Sequence, residues 1–252
     1  MSRIEDWASR WNQSEEKAGV APLDRTFSRQ GRSSAPPILL LHGGGGSPQD
    51  LLPLADDLER HGIGSLCPLL PFHGLGEEAM RDLRFDALVE RAREAHHEIL
   101  SASAGAHSDA RAMVIGLSMG AVLGIRLAAE GNVARFVALA PALRPYVLRR
   151  VISLVPRMIQ AARLARIQVR WQREVMRGIR ATELLIPRVT SPLLVVHSTD
   201  DDSVSIQGAR LLHDRAASTR KRLVIVEGQG HVLTKAPDPE TVFGPVRSFL
   251  EI

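Results

Sequence analysis

Short, unbroken apolar runs alternate with amphipathic stretches along this chain, and few folds accommodate that alternation. Ile38 to Leu41, Ser65 to Cys67, Ala112 to Gly116, Val133 to Leu139, Leu193 to His197 and Leu223 to Val226 read as strands. Helical periodicity fills the gaps, from about Gln49 to Arg60, Asp82 to Leu100, Ser118 to Ala129, Ile206 to Ala217 and Glu240 to Leu250. A strand apolar at every position is buried on both faces, so the pattern predicts an α/β fold with a mostly parallel sheet of at least six strands, covered by helices on both sides. Ile4, Trp7, Ala8 and Trp11 recur at i, i+3, i+4 and i+7, which predicts an amphipathic helix over about 2–18. A chain of 252 residues holds all of this in a single domain, with a core of about 22–140 and 188–252.

One stretch, about 141–187, breaks the rhythm. No strand appears there, only helical spacing, with Val147, Val151, Val155 and Met158 on one apolar face and Pro156 separating two helices. Inserted after a strand, it would lie over the strand ends as a small helical lid. Between Arg144 and Arg180 ten arginines face one acid, Glu174, so the rest of a chain of net charge +4 is net acidic. Arg163, Arg166, Arg170, Arg173, Arg177 and Arg180 fall along one helix face. Such a face is either simply solvated or a basic surface for anionic lipid or an acidic substrate. Nucleic acid is not an expected partner, because the remainder is acidic and aromatics make up only 4% of residues. The charged stretch Met1 to Trp7 lacks a signal-peptide pattern, and no apolar run is long enough to span a bilayer. Cys67, the single cysteine, allows no internal disulfide. Cytoplasmic residence is the expectation.

The chemistry is signalled at Gly116-Leu117-Ser118-Met119-Gly120, between the apolar run ending at Ile115 and the apolar helix start Ala121 to Ile125. A sharp strand-to-helix turn brings backbone against backbone, which calls for glycine on both sides of the serine. The turn exposes the hydroxyl at the carboxyl edge of a parallel sheet, beside a helix N-terminus that favours developing negative charge. Ser118 is therefore the candidate nucleophile of a serine hydrolase, and it needs a histidine base with an orienting carboxylate. His231 follows the strand ending at Val226, and Gly228 and Gly230 suit a flexible loop that carries its imidazole back over the serine. The strand ending at His197 runs into Asp200, Asp201 and Asp202, any of which could be the acid.

The order Leu40-Leu41-His42-Gly43-Gly44-Gly45-Gly46-Ser47-Pro48, Pro71-Phe72-His73-Gly74, the Ser118 turn, Asp201-Asp202-Ser203-Val204-Ser205 and Gly230-His231-Val232 resembles the α/β-hydrolase superfamily. It is most similar to small bacterial carboxylesterases and monoacylglycerol lipases, from about Ile38 to the C-terminus apart from the lid. That resemblance implies the α/β-hydrolase fold, with acid and histidine following the serine in chain order. Alignment on Val204 implies Asp201 as the acid, with Asp200 or Asp202 as loop carboxylates, one of them capping the helix near Ile206. It also implies the backbone amides of Gly44 and Met119 as the oxyanion hole. The activity implied is cofactor-free hydrolysis of short or medium acyl esters, or of monoacylglycerols, through an acyl-enzyme. Acyl transfer, cofactor-free haloperoxidase chemistry, carbon–carbon hydrolysis and ligand binding without catalysis are the alternatives the fold also carries. Gly44 stands where the family places a bulky residue, and Phe72 where it places glycine.

The other histidines read as structural. His42 and His73 are expected to hydrogen-bond in loops, His197 to pack beside the acid loop, and His96 and His97 to lie on a helix surface. No cluster has zinc-like spacing, and the glycines at 43–46 do not match a dinucleotide fingerprint.

Overall fold

The computed structural model describes residues 3–32, 36–76, 78–103, 111–146 and 160–252. The proposed apolar face Val147, Val151, Val155 and Met158, the break at Pro156, and the side chains of Arg163 and Arg166 lie outside the described residues. Seven strands form one sheet: β1 (Phe27–Arg29), β2 (Ile38–Leu41), β3 (Ser65–Cys67), β4 (Ala112–Leu117), β5 (Val133–Leu139), β6 (Leu193–Ser198) and β7 (Lys221–Val226). Their order is β1-β3-β2-β4-β5-β6-β7, parallel throughout except where β1 pairs antiparallel with β3.

The helices are α1 (Arg3–Lys17), α2 (Leu52–Arg60), α3 (Phe85–Ser103), α4 (Met119–Glu130), α5 (Gln160–Glu183), α6 (Ile206–Arg215) and α7 (Glu240–Leu250). Successive side chains of a strand point to opposite faces. Leu39, Leu41, Val114, Phe136 and Val195 accordingly enter the core under α1, α3, α4, α5 and α6, while Ile38, Leu40, Ile115, Val137 and Val196 enter the core under α2 and α7. Strands β2, β3 and β6 are buried at every position, which is why they carry no polar alternation, whereas β7 at the edge is partly exposed, with Ile225 in solvent.

The edge strand β1 was not legible as an apolar run, because it is three half-buried residues long. It is held from outside itself. The buried Glu15 of α1 accepts hydrogen bonds from Thr26 N at 2.6 Å and Thr26 Oγ1 at 2.7 Å, and Thr26 Oγ1 in turn accepts from Leu69 N at 2.9 Å. Trp7 and Trp11 of α1 lie 6.0 Å apart, and the Arg91 guanidinium sits 3.5 Å from the Trp11 ring centroid. Among the described residues no helix is long and apolar enough to cross a membrane.

Two features position the site. Chain order reverses between β2 and β4, the place where open α/β sheets leave a crevice at their carboxyl ends. Above it passes α5, which approaches α3 so closely that a Cβ on Gly178 would lie 2.2–2.4 Å from three atoms of the buried Phe85 ring. Gly178→Ala therefore gains helix propensity but overpacks a full core position. We expect a net loss of about 1–2 kcal/mol, read as a lower urea midpoint at unchanged slope.

Candidate active site

Ser118 joins β4 to α4 with φ +55° and ψ −112°, a left-handed backbone conformation that a residue with a side chain rarely adopts. The glycines around it answer to space. A Cβ at Gly116 would fall 2.4 Å from Gly120 O, and one at Gly120 would fall 2.0 Å from Leu41 O. Only bare backbone lets α4 start this close to β2 and β4.

His231 Nε2 lies 3.0 Å from Ser118 Oγ, and its Nδ1 lies 2.7 Å from Asp201 Oδ2. A carboxylate oxygen can only accept, so Nδ1 carries the proton and Nε2 presents its lone pair to the serine hydroxyl. The other oxygen of Asp201 accepts from Ser203 N and Val204 N, each at 2.8 Å, and the side chain is 1% exposed. Of the three adjacent aspartates, the turn delivers Asp201 to the imidazole. Asp202 accepts from Ser203 Oγ at 2.9 Å. Neither neighbour caps the helix near Ile206, because Ser205 Oγ takes that place by accepting from Gln207 N at 3.3 Å. Asp200 instead turns toward the loop preceding His231.

Gly44 and Met119 line the same cavity as Ser118. Met119 is the first residue of α4, so its N–H is among those a helix leaves without an intrahelical acceptor. A Cβ on Gly44 would lie 3.3 Å from Met119 Sδ, so glycine there spares Met119 from being pushed aside. His42 buttresses this loop. Its Nε2 accepts from Leu70 N at 3.0 Å, which leaves Nδ1–H to donate to Gly43 O at 2.9 Å, and its ring meets His73 edge-on at 5.1 Å. Burial, with a smaller contribution from neighbouring His73, lowers the His42 pKa to about 3. Phe72, where the resemblance places glycine, stands at φ +69°, in the region that favours glycine.

His197 is fully buried. Its Nε2 lies 3.3 Å from Val204 O and 3.5 Å from the Asp201 oxygen that also faces His231, and burial depresses its pKa. His96 departs from expectation: it is buried at 8% exposure rather than on the surface, and burial likewise lowers its pKa. His97 does lie exposed, within 3.2 Å of Ser101 Oγ.

The cavity encloses about 360 Å³. Its far wall is apolar and comes from α5, through Trp171, Val175, Met176 and Ile179. The apolar spacing of these four residues was visible in the sequence, but nothing there tied it to Ser118. Among the described residues no group of three or more His, Cys, Asp or Glu could hold a metal ion.

A model of the alpha/beta hydrolase family matches residues 38–243, which span the strands, the Ser118 turn and His231. The chain belongs to the alpha/beta hydrolase family. This hydrolase is 37% identical over 62 residues to a monoacylglycerol lipase of Mycolicibacterium smegmatis, a stretch covering 25% of this chain and only 22% of that relative. A structure described with LipS and LipT, two metagenome-derived lipolytic enzymes, aligns at TM-score 0.75 and 22% identity over 92% of this chain and 99% of its own. The monoglyceride lipase of Saccharomyces cerevisiae, as a soluble variant, aligns at TM-score 0.71 and 15% identity over 90% of each chain. A monoacylglycerol lipase of Paleococcus ferrophilus gives 0.66 and 16% over 90% of this hydrolase and 98% of that chain. At these identities the structural likeness is one of fold.

Burial also sets an acid limit on stability. Folded His42 stays neutral to about pH 3, whereas the unfolded chain binds that proton near 6.5. The unfolded state therefore holds the extra proton between those values, and stability is lost as pH falls through that window. His42→Gln keeps an acceptor for Leu70 N and removes the titration. Between pH 5.5 and 4.5, urea unfolding should show the wild type losing about 1.4 kcal/mol more than His42→Gln.

Proposed function

We propose that this hydrolase cleaves carboxylic esters, either of short or medium acyl chain or monoacylglycerols, through an acyl-enzyme on Ser118. The observation that carries the reading is the hydrogen-bonded line from Asp201 through His231 to Ser118 on the floor of a cavity with an apolar wall.

In the proposed reaction Ser118 Oγ attacks the acyl carbonyl while His231 Nε2 takes the hydroxyl proton. The oxygen of the tetrahedral intermediate accepts from the N–H groups of Gly44 and Met119; one donor of this kind is worth roughly 2.7–4 kcal/mol in the transition state. His231 then returns the proton to the leaving alkoxide, and the alcohol departs. Water attacks the acyl-enzyme and gives a proton to His231; as the bond to Ser118 Oγ breaks and the acid leaves, His231 returns that proton to Oγ. Asp201 keeps the imidazole in the tautomer that can accept, and stabilises the imidazolium between the two proton transfers. The acyl chain would lie along Trp171, Val175, Met176 and Ile179. A cavity of about 360 Å³ is near the small end of ligand sites, which span roughly 300–1,000 Å³, and this favours short or medium chains.

Hydrolysis of p-nitrophenyl esters from acetate to palmitate tests the reading. We expect saturable turnover with a short- to medium-chain optimum, a loss of at least about 10⁴-fold in Ser118→Ala, and a fall of about 10⁴-fold in kcat for Asp201→Asn. Turnover of no ester, or equal turnover by Ser118→Ala, removes it.

A further observation supports a lipid partner for the same helix. Arg170, Arg173, Arg177 and Arg180 are exposed on α5, on the side away from the cavity-lining residues, with Glu174 paired to Arg177 at 2.6 Å. We propose that this row meets anionic lipid. Binding to phosphatidylglycerol-containing vesicles that disappears at about 0.5 M salt is the expected sedimentation result. Equal retention by neutral vesicles, or none by either, refutes it.

A further inference from the structure

The loop carrying His231 is tied down by a carboxylate that does not touch His231. Gln229 N donates to Asp200 Oδ1 at 3.1 Å, and Gly230 N lies 3.3 Å from Oδ2 and 3.4 Å from Oδ1 of the same side chain. Ser198 Oγ, at the end of β6, donates to Asp200 Oδ1 and also accepts from Gln229 N at 3.1 Å. From the other side Asp238 N donates to Gln229 Oε1 at 3.1 Å.

The backbone is shaped for this. Gly228 and Gly230 sit at φ +70° and +65°, and a Cβ on either would meet nothing within 4 Å. Glycine there is thus required by backbone conformation and not by space. Alternation of left- and right-handed residues turns successive N–H groups to one side, making a concavity that binds an anion. In this chain the anion is internal, and it comes from the residue beside the one that orients the imidazole.

We propose that Asp200 is a positioning residue: bound in the backbone concavity of Gly228–Gly230, it sets where His231 stands relative to Ser118. The adjacent carboxylates then divide the labour, Asp201 acting on the imidazole ring and Asp200 on the main chain that delivers it. This rests on the reading of Ser118 and His231 as nucleophile and base. Asp200 is exposed, so its hydrogen bonds compete with water and add little to global stability. Its effect falls on geometry, where a displacement of about 1 Å can cost 10²-fold in rate.

Asp200→Ala and Asp200→Asn, compared with wild type, test the assignment by three measurements. In Asp200→Ala we expect faster hydrogen exchange at the Gln229 and Gly230 amides with little change in unfolding midpoint. Turnover per titrated active site should fall between about 10-fold and 10²-fold at nearly unchanged KM. Asp200→Asn, which keeps an acceptor oxygen, should recover part of the loss. The third measurement is the rate at which a fluorophosphonate labels Ser118, which needs the serine and histidine but no ester substrate. If the wild type labels yet hydrolyses no ester, the ester reading fails, and slower labelling of Asp200→Ala still upholds the positioning role. Unchanged amide exchange, exchange accelerated without loss of turnover or labelling rate, or a wild type that does not label overturns it.

Discussion

The contact on which the rest of the site depends is that of bare backbone on bare backbone where α4 meets β2 and β4. Gly116 and Gly120 leave no room for a Cβ against Gly120 O and Leu41 O, and the chain between them has no relaxed way round. Ser118 takes a left-handed conformation of a kind that costs on the order of 1–3 kcal/mol. The flanking segments hold it there, because Val114 and Ile115 on one side and Ala121, Val122 and Ile125 on the other are wholly buried. The same close approach sets the start of α4 beside the loop after β2, so Met119, Gly44 and Ser118 line one cavity.

Burial then sorts the charges. Asp201 is tolerated in the interior because Ser203 N, Val204 N and His231 occupy its oxygens. Burial disfavours the charged form of His42, His73, His96 and His197, which leaves His231 as the histidine of this region that opens onto the cavity. The described arginines of the lid region stand in solvent or pair with acids, as Arg144 does with Glu183. Helix α5 has two unlike sides: an apolar one that walls the cavity and a basic one that faces outward, with Gly178 against Phe85 setting how near it comes.

Hydrophobic period and turn chemistry are short-range properties, so the amino-acid sequence by itself determined what depends on them. The continuous strands, the amphipathic helices, the tight turn at Ser118 and the late loop bearing His231 were all legible, because neighbouring residues suffice to specify each. Tertiary structure alone decided what depends on partners far along the chain. Edge strand β1 exists because Glu15 and Leu69 hold Thr26, and His96 is inside because α3 lays it against the core. The loop before His231 is pinned where flexibility was expected, since Asp200, some thirty residues away, fills it. Three consecutive aspartates carry the same charge and the same acceptor atoms, and no local pattern distinguishes them. Only the direction in which the chain turns after β6 sends Asp201 to the imidazole, Asp200 to the backbone and Asp202 to the cavity rim.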